Sequence, residues 1–137
     1  MTVADLVVDA SVTMAWCFED EATPETDQLL DQVATSGCMV PALWRGEVAN
    51  VLLVAERRGR IKPAQRDRFL ALLDRLPVIV EITSPDSAAL VWLADKHALS
   101  SYDAWYLWLA IRTGARLATL DQRLLGAASS AGVTTLP

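Results

Sequence analysis

The chain has one histidine and two cysteines among its 137 residues, and each scarcity closes off a class of chemistry. His97 stands alone, and Cys17 and Cys38 have no CxxC spacing, so no familiar zinc site can be assembled from them. No Ser–His or Cys–His pair is visible that would supply a nucleophilic side chain. Cys17 falls on an expected helix and Cys38 enters an expected strand, and both read as buried, reduced thiols. His97 follows Lys96 near the end of an expected helix, where cations suit the dipole, and no part in catalysis is expected of it. Long apolar runs are also missing. Stretches such as Ala104–Ile111 fall well short of the roughly 20 residues needed to cross a bilayer. The short apolar segment Leu6–Val8 reaches Asp9 at once and has no basic residue before it, unlike an export signal. A cytoplasmic protein with no membrane partner is expected.

What is present describes a compact globular chain: 53% of residues are hydrophobic and 21% charged, a composition that excludes disorder. The length suits one domain spanning 1–137. A net charge of −5 would argue against a nucleic-acid partner if it were evenly spread. It is not. Seven of the 12 basic residues lie between Arg57 and Arg75 (Arg57, Arg58, Arg60, Lys62, Arg66, Arg68 and Arg75), so a basic surface can coexist with an acidic pocket.

Along the chain, Leu6–Val8 reads as a buried strand closed by Asp9, and Ser11–Phe18 as a short helix. Thr23-Pro24 has the form of an N-cap followed by proline, opening a helix to about Thr35 that Gly37 ends. Cys38–Val40 is a candidate strand. A helix from about Leu43 to Arg58 follows, with Val48, Val51, Leu52 and Ala55 on its apolar face. Pro63 starts the second arm of a helical hairpin, striped by Phe69, Leu72, Leu73 and Leu76, which carries the basic cluster. Val78–Ile82 is the clearest strand signal, and Ser84-Pro85 predicts a helix running to about Lys96. Ser100 or Ser101 caps a helix that stops at Gly114. Leu117–Leu120 reads as a strand, Asp121 begins a helix, and Val133–Leu136 is a last short strand. Short apolar strands alternating with helices imply an α/β fold with a mostly parallel sheet and helices on both faces.

In such folds a ligand site lies beyond the carboxyl ends of the strands. Asp9 and Asp121 both follow expected strands and fall at that edge. Asp103 lies in the first turn of a helix and Glu47 early in another. Each acid has an ordinary explanation as a cap or as a complement to a helix dipole. Those explanations do not account for all four falling where the fold would bring them together. Gathered carboxylates repel, by about 4 kcal/mol per pair at ~4 Å and an effective dielectric near ~20, and a divalent cation removes that penalty. Oxygen-only ligands suit Mg²⁺ or Mn²⁺. Such an ion lowers the pKa of bound water and orients a phosphodiester.

Four segments then carry a resemblance: Val8-Asp9-Ala10-Ser11; Pro41 through Glu47 to Asn50; Ser101-Tyr102-Asp103-Ala104; and Ala118-Thr119-Leu120-Asp121. In order and spacing they resemble the successive motifs of PIN-domain proteins, most nearly the VapC toxins of bacterial toxin–antitoxin pairs. The resemblance spans nearly the whole chain. It implies a PIN-like three-layer sandwich and an RNA endonuclease that uses Mg²⁺ or Mn²⁺, forms homodimers and is held inactive by a VapB-type antitoxin. By motif, Asp9, Glu47, Asp103 and Asp121 would form the catalytic, metal-binding quartet. Asp9 and Asp103 would be the most direct ligands, Glu47 would bind metal or position the attacking water, and Asp121 would bind directly or through water. Ser11 and Thr119 are placed to hydrogen-bond the acids or the substrate, and Asn50, one turn after Glu47, to reach the site or to be an ordinary polar position. The implied reaction is in-line attack of water on an RNA phosphodiester, leaving 5′-phosphate and 3′-hydroxyl ends.

The basic hairpin either steers RNA through Arg57 and Arg58 or is a solvated surface with Glu56, Asp67 and Asp74 interspersed. Of the five tryptophans, Trp92, Trp105 and Trp108 are expected in the core. Trp16 and Trp44 either pack there or line a groove near the acids that would receive the antitoxin. A receiver domain or a haloacid-dehalogenase-type phosphatase would also place an acid after the first strand. The receiver needs a lysine after a late strand, whereas Lys62 and Lys96 are elsewhere, and the phosphatase needs a second Asp where Ser11 stands. A PIN-like module that binds a partner without cleaving, and a nuclease acting on DNA, are the remaining alternatives.

Overall fold

The computed structural model describes residues 4–137; the first three residues of the expected 1–137 domain lie outside it. Five strands form one parallel sheet: β1 (Leu6–Val8), β2 (Cys38–Pro41), β3 (Val78–Glu81), β4 (Arg116–Ala118) and β5 (Thr135–Leu136), in the order β3-β2-β1-β4-β5. Seven α-helices connect them: α1 (Ala10–Cys17), α2 (Pro24–Ser36), α3 (Leu43–Arg57), α4 (Pro63–Arg75), α5 (Ser87–His97), α6 (Ser101–Thr113) and α7 (Gln122–Ser130). No helix among the described residues is long and apolar enough to cross a membrane.

The strand order fixes where the site must lie. Steps from β1 to β2 to β3 run one way across the sheet, and steps from β3 to β4 to β5 run the other way. Right-handed crossovers therefore put α1–α4 on one face and α5–α7 on the other. The reversal falls between β1 and β4, which pair with Val8 opposite Ala118. A cleft opens at such a switch point beyond the strand ends.

Local chemistry sets most element ends as the sequence predicts. Thr23 accepts the Thr26 N–H in a capping box, and Pro24 occupies the first turn of α2, where its missing N–H costs nothing. Gly114 ends α6 in the left-handed conformation, at φ 70°. The central strands β1 and β2 are buried throughout. Helix α6 lies against β1, β2 and β4 and also packs on α5 and α7, which is why so many of its residues are buried: Ala104, Tyr106, Leu107, Leu109 and Ala110.

The structure corrects four expectations. Helix α5 starts at Ser87, not after Ser84-Pro85: the Asp86 carboxylate accepts the Ala89 N–H at 2.8 Å and caps the helix. Strand β4 ends at Ala118, and just beyond it the Leu120 and Asp121 N–H groups bond the Ser11 and Thr119 hydroxyls and not a neighbouring strand. The apolar run Val78–Ile82 forms an edge strand that ends at Glu81, with Ile79 51% and Ile82 87% exposed. Trp92 is 63% exposed, with the Lys96 ammonium 4.8 Å from its ring centre; it is a surface residue, and Trp105 and Trp108 are only partly buried. Cys17 and Cys38 are free and buried, as expected, and burial raises their thiols to about 11 and about 12.

At the α2–β2 junction Gly37 adopts φ 79°, and a Cβ there would stand 2.8 Å from the Pro77 carbonyl oxygen. A side chain would add left-handed strain to a backbone clash. Gly37→Ala should lower unfolding free energy by about 2 kcal/mol in urea titrations; an unchanged midpoint would show that the junction relaxes freely.

Candidate active site

Asp9 sits one residue past β1 and caps α1, yet it is only 4% exposed. A buried carboxylate needs donors, and three are provided. Oδ1 accepts the Ser11 hydroxyl at 2.6 Å and the Val12 N–H at 3.1 Å, while Oδ2 accepts the Thr119 hydroxyl. Each hydroxyl also receives a backbone N–H from the β4–α7 connection: Leu120 N donates to Ser11 Oγ at 2.9 Å, and Asp121 N to Thr119 Oγ1 at 3.0 Å. A hydroxyl that accepts an N–H has its own proton free for Asp9, so donor directions are fixed on both sides. Both lone pairs of Oδ1 are used. Oδ2 keeps one uncommitted.

Glu47 lies on α3 and is half-buried, with Oε1 accepting the Tyr106 hydroxyl at 2.6 Å. Asp103 lies in the first turn of α6, where Ser100 accepts its N–H at 3.1 Å. Asp121 caps α7 through the Leu124 N–H at 2.9 Å and is exposed. Three of the acids thus sit at helix N-termini, where the positive dipole end offsets part of their charge by roughly 0.3–1 kcal/mol each.

Burial raises the Asp9 carboxyl above its ordinary range, its hydrogen bonds oppose the rise, and the charge of Asp103 adds to it. Glu47 is raised chiefly by burial, against the Tyr106 hydrogen bond, with the charges of Asp103 and Asp9 adding. Burial and then the charge of Asp121 raise Asp103. The acids therefore share one negative field. Burial, then the bond to Glu47, holds the Tyr106 phenol far above its usual range, so it remains a donor.

With the side chains as they stand, no three His, Cys, Asp or Glu among the described residues are close enough to ligate one ion. The donor set still fits a hard divalent cation: it is oxygen only, Asp9 Oδ2 has a free lone pair, and Glu47 Oε2 and Asp121 Oδ2 take no hydrogen bond among the described residues. Ligation would require the side chains of the other acids to rotate toward Asp9.

Ser11 and Thr119 reach Asp9. Asn50 does not join this network; it is exposed and lines a shallow pocket with Val51, Val54, Arg58 and Arg60. Arg57 and Arg58 are exposed and have no acidic partner among the described residues, whereas Arg60 pairs with Asp20 and Glu21, and Arg66 with Glu56 and Asp67. Trp16 and Trp44 are core residues: Trp16 donates to the Thr26 carbonyl, and Trp44 to Thr13 Oγ1, both at 2.9 Å. Sequence reasoning missed two residues. Thr13 donates to the Asp9 carbonyl at 2.9 Å while accepting from Trp44, tying α3 to α1. Tyr106 was visible only as a hydroxyl three residues after Asp103, on the same helix face.

The profile of the PIN domain family matches residues 6–129, which include all four acids. The chain belongs to the PIN-domain family. Within it this PIN domain is VapC-like. Ribonuclease VapC3 of Pyrobaculum aerophilum is 32% identical over 124 residues, 87% of this chain and 91% of the relative. The crystal structure of PAE2754 from Pyrobaculum aerophilum superposes with a TM-score of 0.73 at 25% identity, covering 96% of this chain and 90% of that one. That of FitAcB from Neisseria gonorrhoeae shares the fold, at a TM-score of 0.58 and 16% identity over 96% of each chain.

The raised carboxyls set a pH dependence for the metal-free PIN domain. A carboxyl raised on folding stabilises the native state fully below its unfolded pKa, near about 4, and that contribution is lost as pH rises through the higher folded value. In EDTA the melting temperature should therefore rise as pH falls from 7 toward ~5, and Asp103→Asn should melt higher than wild type at pH 7. A lower melting point for Asp103→Asn would mean that repulsion among the acids does not strain the apo fold.

Proposed function

We propose that this PIN domain is a metal-dependent endoribonuclease and the toxin of a toxin–antitoxin pair. The observation that carries the reading is Asp9: a buried carboxylate at the sheet's switch point, with one free lone pair, in the shared field of Glu47, Asp103 and Asp121. The likeness to a protein named Ribonuclease VapC3 supports RNA as the substrate.

Asp9 and Asp103 would hold Mg²⁺ or Mn²⁺ most directly, with Glu47 and Asp121 completing the site. When bound, the ion would lower the pKa of an attacking water and offset charge on the leaving oxygen. Ser11 and Thr119 keep Asp9 in one orientation. Asp121, the exposed acid, has the most freedom to adjust to substrate. A VapB-type antitoxin, a homodimeric assembly, a cytoplasmic setting and a single domain over 1–137 complete the proposal.

The test is incubation of the antitoxin-free chain with mixed RNA and matched DNA pools, with Mn²⁺ or Mg²⁺ and with EDTA. RNA should be cut to 5′-phosphate ends only with metal, and Asp103→Asn should lower the rate by at least about 100-fold, roughly 2.7 kcal/mol in barrier. Cyclic-phosphate ends would refute attack by water. Cleavage of DNA alone would reassign the substrate, and intact pools with bound metal would make the chain a binding module.

Arg57 and Arg58, like Lys62, Arg68 and Arg75, are exposed without an acidic partner among the described residues, and we assign Arg57 and Arg58 to steering the RNA backbone. Reversing both to Glu should raise KM about tenfold at low salt and flatten its salt dependence, with kcat kept. An unchanged KM would return the hairpin to solvent.

A further inference from the structure

The acids account for ligation, but nothing in their own packing orients Glu47. It lies on α3, in the helical layer opposite α6, and its side chain has three rotatable bonds. One contact fixes it. The Tyr106 hydroxyl, carried 59 residues later in the chain, donates to Glu47 Oε1 at 2.6 Å. That length belongs to the charge-assisted range for a hydroxyl on a carboxylate.

The donor is rigid for reasons visible in its surroundings. Tyr106 is 1% exposed and is the largest fully buried side chain of the described residues. Its neighbours on α6, Ala104, Leu107, Leu109 and Ala110, are buried too. A tyrosine ring has two rotors, and this one has its path closed by packing. The hydroxyl can therefore hold Glu47, while Glu47 could not hold itself. The bond also spans the carboxyl edge of the sheet, joining the α1–α4 layer to the α5–α7 layer. Tyr106 follows Asp103 by three residues, so one face of α6 supplies both an acid and the group that orients another acid.

Resting on the nuclease reading above, we infer that Tyr106 is a positioning residue of the metal site, which occupies one oxygen of Glu47 and leaves Oε2 for the cation. Tyr106 touches neither substrate nor metal in this account. It acts through Glu47, as an outer partner that restricts a ligand's geometry. This separates it from Ser11 and Thr119, which serve Asp9.

Tyr106→Phe removes the donor and keeps the ring, so the core volume is nearly unchanged. Mn²⁺ binding to the full chain, without RNA, is read by titration calorimetry, and cleavage by kcat and KM. Tyr106→Phe should bind Mn²⁺ about tenfold more weakly and lower kcat by a similar factor, with KM within about twofold. In a Glu47→Gln background, adding Tyr106→Phe should change Mn²⁺ affinity by less than about twofold, because the residue it acts through is already altered. Wild-type Mn²⁺ affinity in Tyr106→Phe, or the same loss in both backgrounds, would overturn the inference and leave Tyr106 a packing residue. Failure of the wild-type chain to bind Mn²⁺ at all would overturn the nuclease reading and this one with it.

Discussion

A carboxylate buried at the end of a parallel strand must be given donors, and the arrangement around Asp9 follows from that requirement. Ser11 and Val12 supply two from the first turn of α1, and Thr119 supplies the third from across the β1–β4 pair. Because Ser11 and Thr119 are themselves anchored by Leu120 N and Asp121 N, the two loops at the switch point are held as one unit. Hydrogen bonding satisfies Asp9 without neutralising it. Burial raises its carboxyl, and those of Glu47 and Asp103, above the ordinary range, so charge gathered here is disfavoured. Such strain is common at functional sites and is relieved by a ligand of opposite charge.

The remainder of the fold holds these groups in place. Reversal of strand order at β1 and β4 creates the cleft, and α6 crosses beneath it while delivering Asp103 and Tyr106. Trp44, which the sequence left between core and groove, fixes α3 to α1 through Thr13 and thereby sets the position from which Glu47 reaches inward. The hairpin of α3 and α4 is secured at its tip by Arg60, which lies 3.9 Å from the Phe18 ring centre and pairs with Asp20 and Glu21. Part of the basic cluster is thus structural, while Arg57, Arg58, Lys62, Arg68 and Arg75 make no ion pair among the described residues.

Much of this was legible in the sequence because the signals were local. Thr23-Pro24, Gly37, Gly114 and the apolar run before Asp9 each act within one turn, and each marks its element to within a residue or two. The order of the acids along the chain, with the switch-point rule, led to the same edge of the sheet. Long-range competition was not legible. Val78–Ile82 reads as a strand, and it is one, but its place at the sheet edge is a matter of strand order that its composition does not carry. Trp92 faces solvent because α6 and not α5 covers the sheet. Asp86 and not Ser84 caps α5, a choice local sequence does not settle because the two residue types cap about equally well. Tyr106 escaped notice because a tyrosine in an apolar helix looks like packing until its partner, 59 residues away, is in view.

The central claim is that the carboxylates together bind divalent metal, and crystals of the chain soaked in Mn²⁺ would test it most directly through anomalous scattering. The account predicts strong anomalous density beside Asp9 Oδ2 and within bonding distance of Asp103, with Glu47 and Asp121 turned toward it. A peak elsewhere on the surface, or none at saturating Mn²⁺, would contradict it.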